Sequence, residues 1–369
     1  MRLGQLLTLF LCSAFIHVIQ AQEKQVLIEN VKLLDYKTQM LTPPKHVLIN
    51  GNTIQTISTS PIDVQGKNIV KINAKGKTLM PGLIDTHVHL TSETKKGNAA
   101  DAFTLNPADV AFESLKYANA TLMSGFTTVR DLGGNGVNVA MRNAINKNSI
   151  IGPRVYTAGK SIATTGGHAD PTNSYRKDLM GNPGPNEGVI NGPSEAYQAV
   201  RQRYKDGSDL IKITATGGVL SQAKDGANAQ FTLEEVKAIV AAAKDYGFKV
   251  AAHGHGAEGI KRAIQGGVNS IEHGTFMDQE GIQLMKQHGT YLVPTIIAGK
   301  STADSAKIQG YYSAIVTPKA LATGPLIQEA FGRAYKAGVK IAFGTDAGVF
   351  AHGKNWMELV YMKEARMPV

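Results

Sequence analysis

His87 and His89 stand two residues apart in Leu83-Ile84-Asp85-Thr86-His87-Val88-His89, and in an extended strand residues two apart point to the same side. Both imidazoles can then grip one cation. An isolated His-x-His is weak evidence, because two solvated histidines also explain it. Here His253, His273 and Asp346 also fall at the ends of apolar runs, and chance placement explains that poorly. Lys212 lies within Leu210-Ile211-Lys212-Ile213, an otherwise apolar strand. A lysine buried there is costly unless it is neutralised or paired, or its ammonium reaches solvent. His255, two residues beyond His253, can face inward as a reserve ligand or as a group supporting the ligands; a solvated loop histidine is the equal alternative.

Softer candidates surround these. His168 follows Gly166-Gly167 and is read as a substrate contact or a loop histidine. Arg130 ends a predicted strand, where it can meet a substrate carboxylate or pair with Asp131 or another structural partner. Tyr175 is a weaker candidate of the same kind. Gly133-Gly134-Asn135-Gly136 lacks the spacing of a phosphate loop and reads as a flexible loop near the site. Trp356 and the methionines near it read as packing residues.

The elements that must position these groups show two zones. Residues 26–78 contain short strands at 26–34, 46–58 and 69–72, broken by Pro43-Pro44 and Asn50-Gly51-Asn52, which predicts a small β unit. From Leu79 apolar strands alternate with amphipathic helices. The strands are expected at 83–89, 127–131, 154–158, 210–215, 249–253, 270–273, 291–295 and 340–346, with helices among them at 232–246, 257–265 and 280–288. Thr232 and Glu235 form a capping box at the first of these helices. Eight such repeats predict an α/β fold, a (β/α)8 TIM barrel, rather than a doubly wound sheet. Reacting groups in such barrels sit at the C-terminal strand ends, where these histidines and Asp346 lie.

Bulk composition agrees. The 369 residues are 43% hydrophobic and 18% charged, ordinary for a globular chain, and their 39 glycines suit many strand–loop junctions. The net charge of +10 is spread without a basic block or aromatic–basic interleaving, which argues against nucleic acid. Arg2, the apolar run 6–19 and Ala21 predict a signal peptide over 1–21, too short to be a comfortable membrane span of roughly 20 residues. Export to a periplasmic or extracellular location is expected, with no stable membrane insertion after cleavage. The only cysteine, Cys12, lies in that segment, so cleavage leaves no thiolate ligand and any metal falls to His, Asp, Glu or a lysine derivative.

Met80-Pro81-Gly82-Leu83-Ile84-Asp85-Thr86-His87-Val88-His89, Ile271-Glu272-His273-Gly274 and Gly344-Thr345-Asp346-Ala347-Gly348 together resemble the amidohydrolase superfamily. Gly125-Phe126-Thr127-Thr128-Val129-Arg130-Asp131 and Thr165-Gly166-Gly167-His168-Ala169-Asp170 resemble its imidazolonepropionase-related group, which includes Xaa-Pro-dipeptidase-like enzymes. The resemblance runs from about Val26 onward. It implies that His87, His89 and Asp346 bind one divalent metal ion and His253 and His273 a second. Lys212 would be carboxylated by CO2 and bridge the two. A hydroxide held between the cations would attack the scissile carbonyl, with Asp346 as base and then acid. Zinc is the first choice of metal, with Mn²⁺, Co²⁺ or Fe²⁺ tolerated by the same donors.

Against the family's pattern the chain divides into a signal peptide (1–21), part of a β-sandwich (22–78) and the barrel (79–369). The sequence is expected to lack helices beyond the eighth strand and the strands that complete the incomplete sandwich. The expected substrates are small molecules, dipeptides or N-acyl amino acids. Cyclic amides such as imidazolones, and lactones, share the same ligand set, and a truncated barrel that binds metal without catalysis is the reading of another class. A homo-oligomer is left open.

Overall fold

The computed structural model describes residues 24–65, 68–97, 101–224 and 226–368. The segment 1–21 with Cys12, read as a signal peptide, lies outside the described residues. Contacts divide the chain into two units between Pro81 and Gly82.

The first unit is a six-stranded sheet around β1 (Gln25–Asp35). It also contains β2 (Met40–Leu41), β3 (Lys45–Asn50), β4 (Thr53–Ser58), β5 (Ile69–Asn73) and β6 (Thr78–Leu79). Strand β1 pairs antiparallel with β2 and β3, and parallel with β5 and then β6. The handover occurs at a bulge, where Asn30 takes φ 52° and the register with β3 shifts between Ile28 and Val31. Asparagine tolerates that left-handed conformation better than most residues. The expected strand at 46–58 is a hairpin, β3 and β4, turning at Gly51 with φ 58°. Leu27, Val31, Val47 and Leu48 are buried, whereas Ile54, Ile57, Val70 and Ile72 are exposed.

The second unit is the barrel. β7 (Leu83–Val88), β8 (Phe126–Asp131) and β9 (Arg154–Thr157) form one parallel sheet. A short pair, β10 (Ala163–Thr164) and β11 (Val189–Ile190), follows β9. β12 (Ile211–Thr214), β13 (Val250–Gly256), β14 (Ser270–Phe276) and β15 (Tyr291–Val293) form the second parallel sheet. Isolated bridges join the two sheets into a ring. Ile162 pairs with Ile213 on one side, while Leu292–Ile341 and Val88–Ala347 pairs close the other.

The expected eighth strand, 340–346, is therefore present as a connecting path but not as a regular strand. Leu292 N donates to Lys340 O at 2.8 Å, Thr86 N to Phe343 O at 2.9 Å, and His89 N to Ala347 O at 2.7 Å. Bridges mark only Ile341 and Ala347 along this path, and Asp346 beside the second takes φ 61°. β13 and β14 run three residues beyond the expected ends, so His253 and His273 lie within strands rather than at their last positions.

The outer helices form where the periodic pattern placed them. Leu233–Asp245 is capped by Thr232, whose side chain accepts from Glu235 N, and Ala257–Gly266 and Gln279–His288 follow their strands. Their apolar faces meet strand residues such as Ile211, Ile213 and Ile271 in a core that includes Val236, Ile239, Ile264 and Phe331. Each such large side chain contributes about 1.5–3 kcal/mol on full burial. Three helices not individually read from the sequence, Ile296–Ala306, Val316–Thr323 and Ile327–Lys336, separate β15 from residue 340. Among the described residues no helix is long and apolar enough to cross a membrane.

Candidate metal centre

Parallel pairing puts Ile213, Ala252, Ile271 and Leu292 in one ring layer and brings the next polar positions together above them. A cavity of about 580 Å³ opens there, lined by His87, His89, His168, Lys212, His253, His255, His273 and Asp346. Two groups of candidate ligands face it: His87, His89 and Asp346, and His253, His255 and His273. Within each group the candidate ligand atoms lie within 4.8 Å of one another.

Each ring is held by one nitrogen. His87 Nδ1 is 2.9 Å from the buried Glu272 carboxylate, and His89 Nδ1 is 2.9 Å from Gly133 O. Those partners accept, so Nδ1 carries the proton and Nε2 presents its lone pair to the cavity. His253 is reversed: its Nε2 donates to Gly217 O at 3.0 Å, leaving Nδ1 as the free lone pair. His255 and His273 rest Nδ1 on the hydroxyls of Thr275 and Thr295, at 2.9 and 2.7 Å. Asp346 Oδ1 is buried, 3.4 Å from His87 Nε2 and 3.2 Å from His89 Nε2, the nearest polar atoms of the two rings. With Nδ1 protonated on both rings, two imidazole lone pairs and a carboxylate oxygen converge there, a donor set that fits a cation.

The backbone bears strain at this place. His273, Thr295 and Asp346 have φ of 73°, 49° and 61°. Left-handed conformations in such residues cost of order 1–3 kcal/mol each and persist where packing enforces them. Asp85 supplies part of that enforcement. Its Oδ1 accepts from His87 N and Thr345 N at 3.1 Å, and its Oδ2 from Thr345 Oγ1 at 2.6 Å and Asn355 Nδ2 at 2.7 Å.

Burial and charge set the protonation states. Burial lowers His87 to about 4, His168 to about 3 and His255 to about 4, and takes His253 and His273 well below the usual range. Burial lowers Lys212 to about 8. Burial also opposes charging Asp346, but the neighbouring His87, His89 and Lys212 outweigh it and keep the carboxyl below its ordinary value. His89 moves the other way: burial works against its charge, and its contact with Asp346 raises it overall.

The softer candidates separate. His168 lines the cavity, 4.4 Å centroid to centroid from His253, with a buried Nδ1 that has no partner. Arg130 does not line it. Its guanidinium donates to Glu272 Oε1 at 2.8 Å, Ser270 Oγ at 3.2 Å and Thr86 O at 2.5 Å, so the structural-partner alternative describes its position, with Glu272 rather than Asp131 as the partner. Tyr175 is 37% exposed and packs edge-on against Phe103 at 4.9 Å, away from the lining residues. The sequence reading missed Glu272, whose neighbour His273 drew attention, and Lys160, which lines the cavity without an ion pair among the described residues. A charged residue inside the strand motif Ile271-Glu272-His273 was the available signal for the first; the second had none.

Comparison with known proteins agrees with this geometry. A solved Xaa-Pro dipeptidase with methionine bound in its active site is 51% identical, with a TM-score of 0.88, covering 94% of this chain and 85% of that one. A prolidase solved with N-methylphosphonate-L-proline is 30% identical, with a TM-score of 0.79 and coverage of 93% and 85%. Ochratoxinase from Aspergillus niger is 34% identical over 283 residues, 73% of this chain; the match spans only 58% of the ochratoxinase. The pattern of the amidohydrolase family matches residues 78–368, which takes in every candidate ligand, and the chain belongs to that family.

Proposed function

We propose that this protein hydrolyses an amide bond whose amine part is an amino acid, as in dipeptides and N-acyl amino acids. The observation that carries the reading is the cavity itself. The two ligand groups, one of them containing Asp346, and Lys212 form one part of its lining, and Val219, Leu220, Ala298, Ile327 and Val349 supply apolar wall for a side chain or acyl group. The solved dipeptidase and prolidase support it, since methionine and the proline phosphonate are both built on an amino acid.

In this reading His87 Nε2, His89 Nε2 and Asp346 hold one divalent ion, and His253 Nδ1 and His273 Nε2 a second, zinc being the first choice. Divalent ions there supply the positive charge that lowers the pKa of water and polarises a carbonyl. Lys212 joins the ligands as a carbamate. Its amine, lowered to about 8, offers the neutral form that CO2 requires, and the product is an anion in place of a buried cation. Asp346 is ionised near neutral pH, takes the proton of the attacking water and returns it to the leaving nitrogen. His168 stays neutral and donates to the substrate carbonyl. Lys160 takes the substrate carboxylate, the role for which Arg130 is not available.

The apolar run at 6–19 supports export, and amide-bond scavenging outside the cytoplasm suits it. The test is a library of dipeptides and N-acyl amino acids, offered to protein loaded with Zn²⁺, Mn²⁺ or Co²⁺, with released amino acid as the readout. The free acids are expected to be cleaved faster than their C-terminal amides. Turnover of lactones or cyclic amides alone would overturn the substrate assignment, and full metal content with no turnover would favour a metal-binding barrel without catalysis.

A further inference from the structure

The loop after β12 does several jobs at once. Gly217 O fixes His253, and His168 packs on Gly218 so closely that a Cβ there would lie 2.1 Å from its Cε1. Val219 and Leu220 form apolar wall. Among the described residues Gly217 N donates to Asn228 O at 3.0 Å and Gln230 N to Ala215 O at 2.9 Å near the base of this loop, and Ser313 Oγ donates to Gln222 Oε1 at 3.0 Å further out. Its remaining carbonyls need donors from elsewhere.

Lys319 provides them. It stands on the helix Val316–Thr323, about a hundred residues later in the chain, and its ammonium reaches Gly218 O at 2.9 Å, Ser221 O at 2.7 Å and Ala223 O at 2.8 Å. These three carbonyls are partners of the ammonium among the described residues, and a charged donor makes each bond stronger than a neutral one. Val219 and Ala320, the residue after Lys319, belong to a small apolar cluster with Ala306, Leu220 and Tyr312.

We propose that Lys319 is a positioning residue for substrate binding: it staples the loop so that His168, Val219 and Leu220 meet the substrate as a rigid wall. This rests on the amide-hydrolase reading for its kinetic consequence, but the staple itself does not. Removing the ammonium frees the loop, while methionine keeps an unbranched side chain of similar bulk at position 319.

The test compares Lys319→Met and Lys319→Arg with the unaltered protein. Hydrogen exchange on metal-free protein is expected to quicken about tenfold at the Gly217 and Gln230 amides in Lys319→Met, with the β13 and β14 amides unchanged. With metal and a cleaved dipeptide, KM is expected to rise about tenfold while kcat changes less than about threefold. Lys319→Arg is expected to recover protection at both amides. Unchanged exchange in Lys319→Met overturns the staple. Exchange that quickens across the whole barrel, or at the loop with KM unmoved, shows a general structural role and overturns the positioning role. If the unaltered protein cleaves no dipeptide, the substrate reading fails and the exchange result alone decides the staple.

Discussion

The two ligand groups in the cavity use the same imidazole chemistry but are held differently. His87 and His89 rest on Glu272 and Gly133 O, acceptors that force one tautomer, and Asp346 adds a negative charge. In the second group only His253 is fixed by an obligate acceptor, while His255 and His273 lean on threonine hydroxyls that can give or take a proton. That group has no carboxylate of its own. The first group thus carries its own negative charge, and under the proposed function the second draws its share from Lys212 as a carbamate.

The largest effect should fall on the group that carries the charge. Asp346→Asn is expected to lower kcat about 10³-fold, by loss of proton transfer and of a charged ligand. Steady-state kinetics with metal analysis checks this, and near-normal turnover with metal still bound would remove Asp346 from the mechanism. Next comes the charge supplied to the second group. Lys212→Ala should lose about 100-fold in kcat and regain part of it with added short carboxylates, which replace the carbamate. An active variant that needs no such addition counts against the bridge.

A smaller contrast tests the braces themselves. Glu272→Gln should weaken metal binding at the first group about 10–100-fold, because the amide has one acceptor oxygen and cannot serve both His87 and Arg130, and its NH2 faces a donor. Thr295→Val should weaken the second only about threefold, since one neutral hydrogen bond is lost. Metal titration of both variants measures the difference; equal losses would erase the distinction between the groups.

The least marked effect is on stability against pH in chelator-treated protein. Rings lowered by burial in the fold stabilise it above about 6.5, where unfolded histidines are neutral too, and that contribution is lost as pH falls toward about 4. The second group should carry more of this acid limb, since all three of its rings are lowered whereas His89 is raised. His255→Gln should therefore flatten the acid limb more than His89→Gln does, as read by thermal melts from pH 4 to 8. Glu358 has the opposite sign. Burial raises it to about 8 while it caps Ile296 N and Ile297 N, so its contribution is full below 4.5 and lost as pH rises to about 8. Glu358→Gln should level that side of the curve.

Much of the barrel was legible in local pattern. The capping box at Thr232 and the alternation of apolar strands with amphipathic helices needed no distant contact to be read, and those elements formed within a few residues of expectation. The path expected as the eighth strand is bonded to both neighbours but carries only isolated bridges, at Ile341 and Ala347, and the left-handed φ of Asp346 has no local signal in its apolar run. Arg130 reads from the sequence as a strand-end residue open to a substrate carboxylate or to a structural partner, and in the fold it meets Glu272. Its Glu272 partner lies 142 residues away, and no local spacing shows which of several acids a guanidinium will meet.

What the sequence determined by itself was which residues share a face. The two-residue period of a strand commits His87 and His89 to one side, and the repeat of strand and helix carries His253, His273, Lys212 and Asp346 to one end of the ring. Only the tertiary structure decided which nitrogen each ring presents, because that depends on an acceptor brought in from elsewhere: Glu272 lies 185 residues from His87, and Gly217 lies 36 from His253. A short period in the backbone sets direction; a hydrogen bond across the barrel sets the proton.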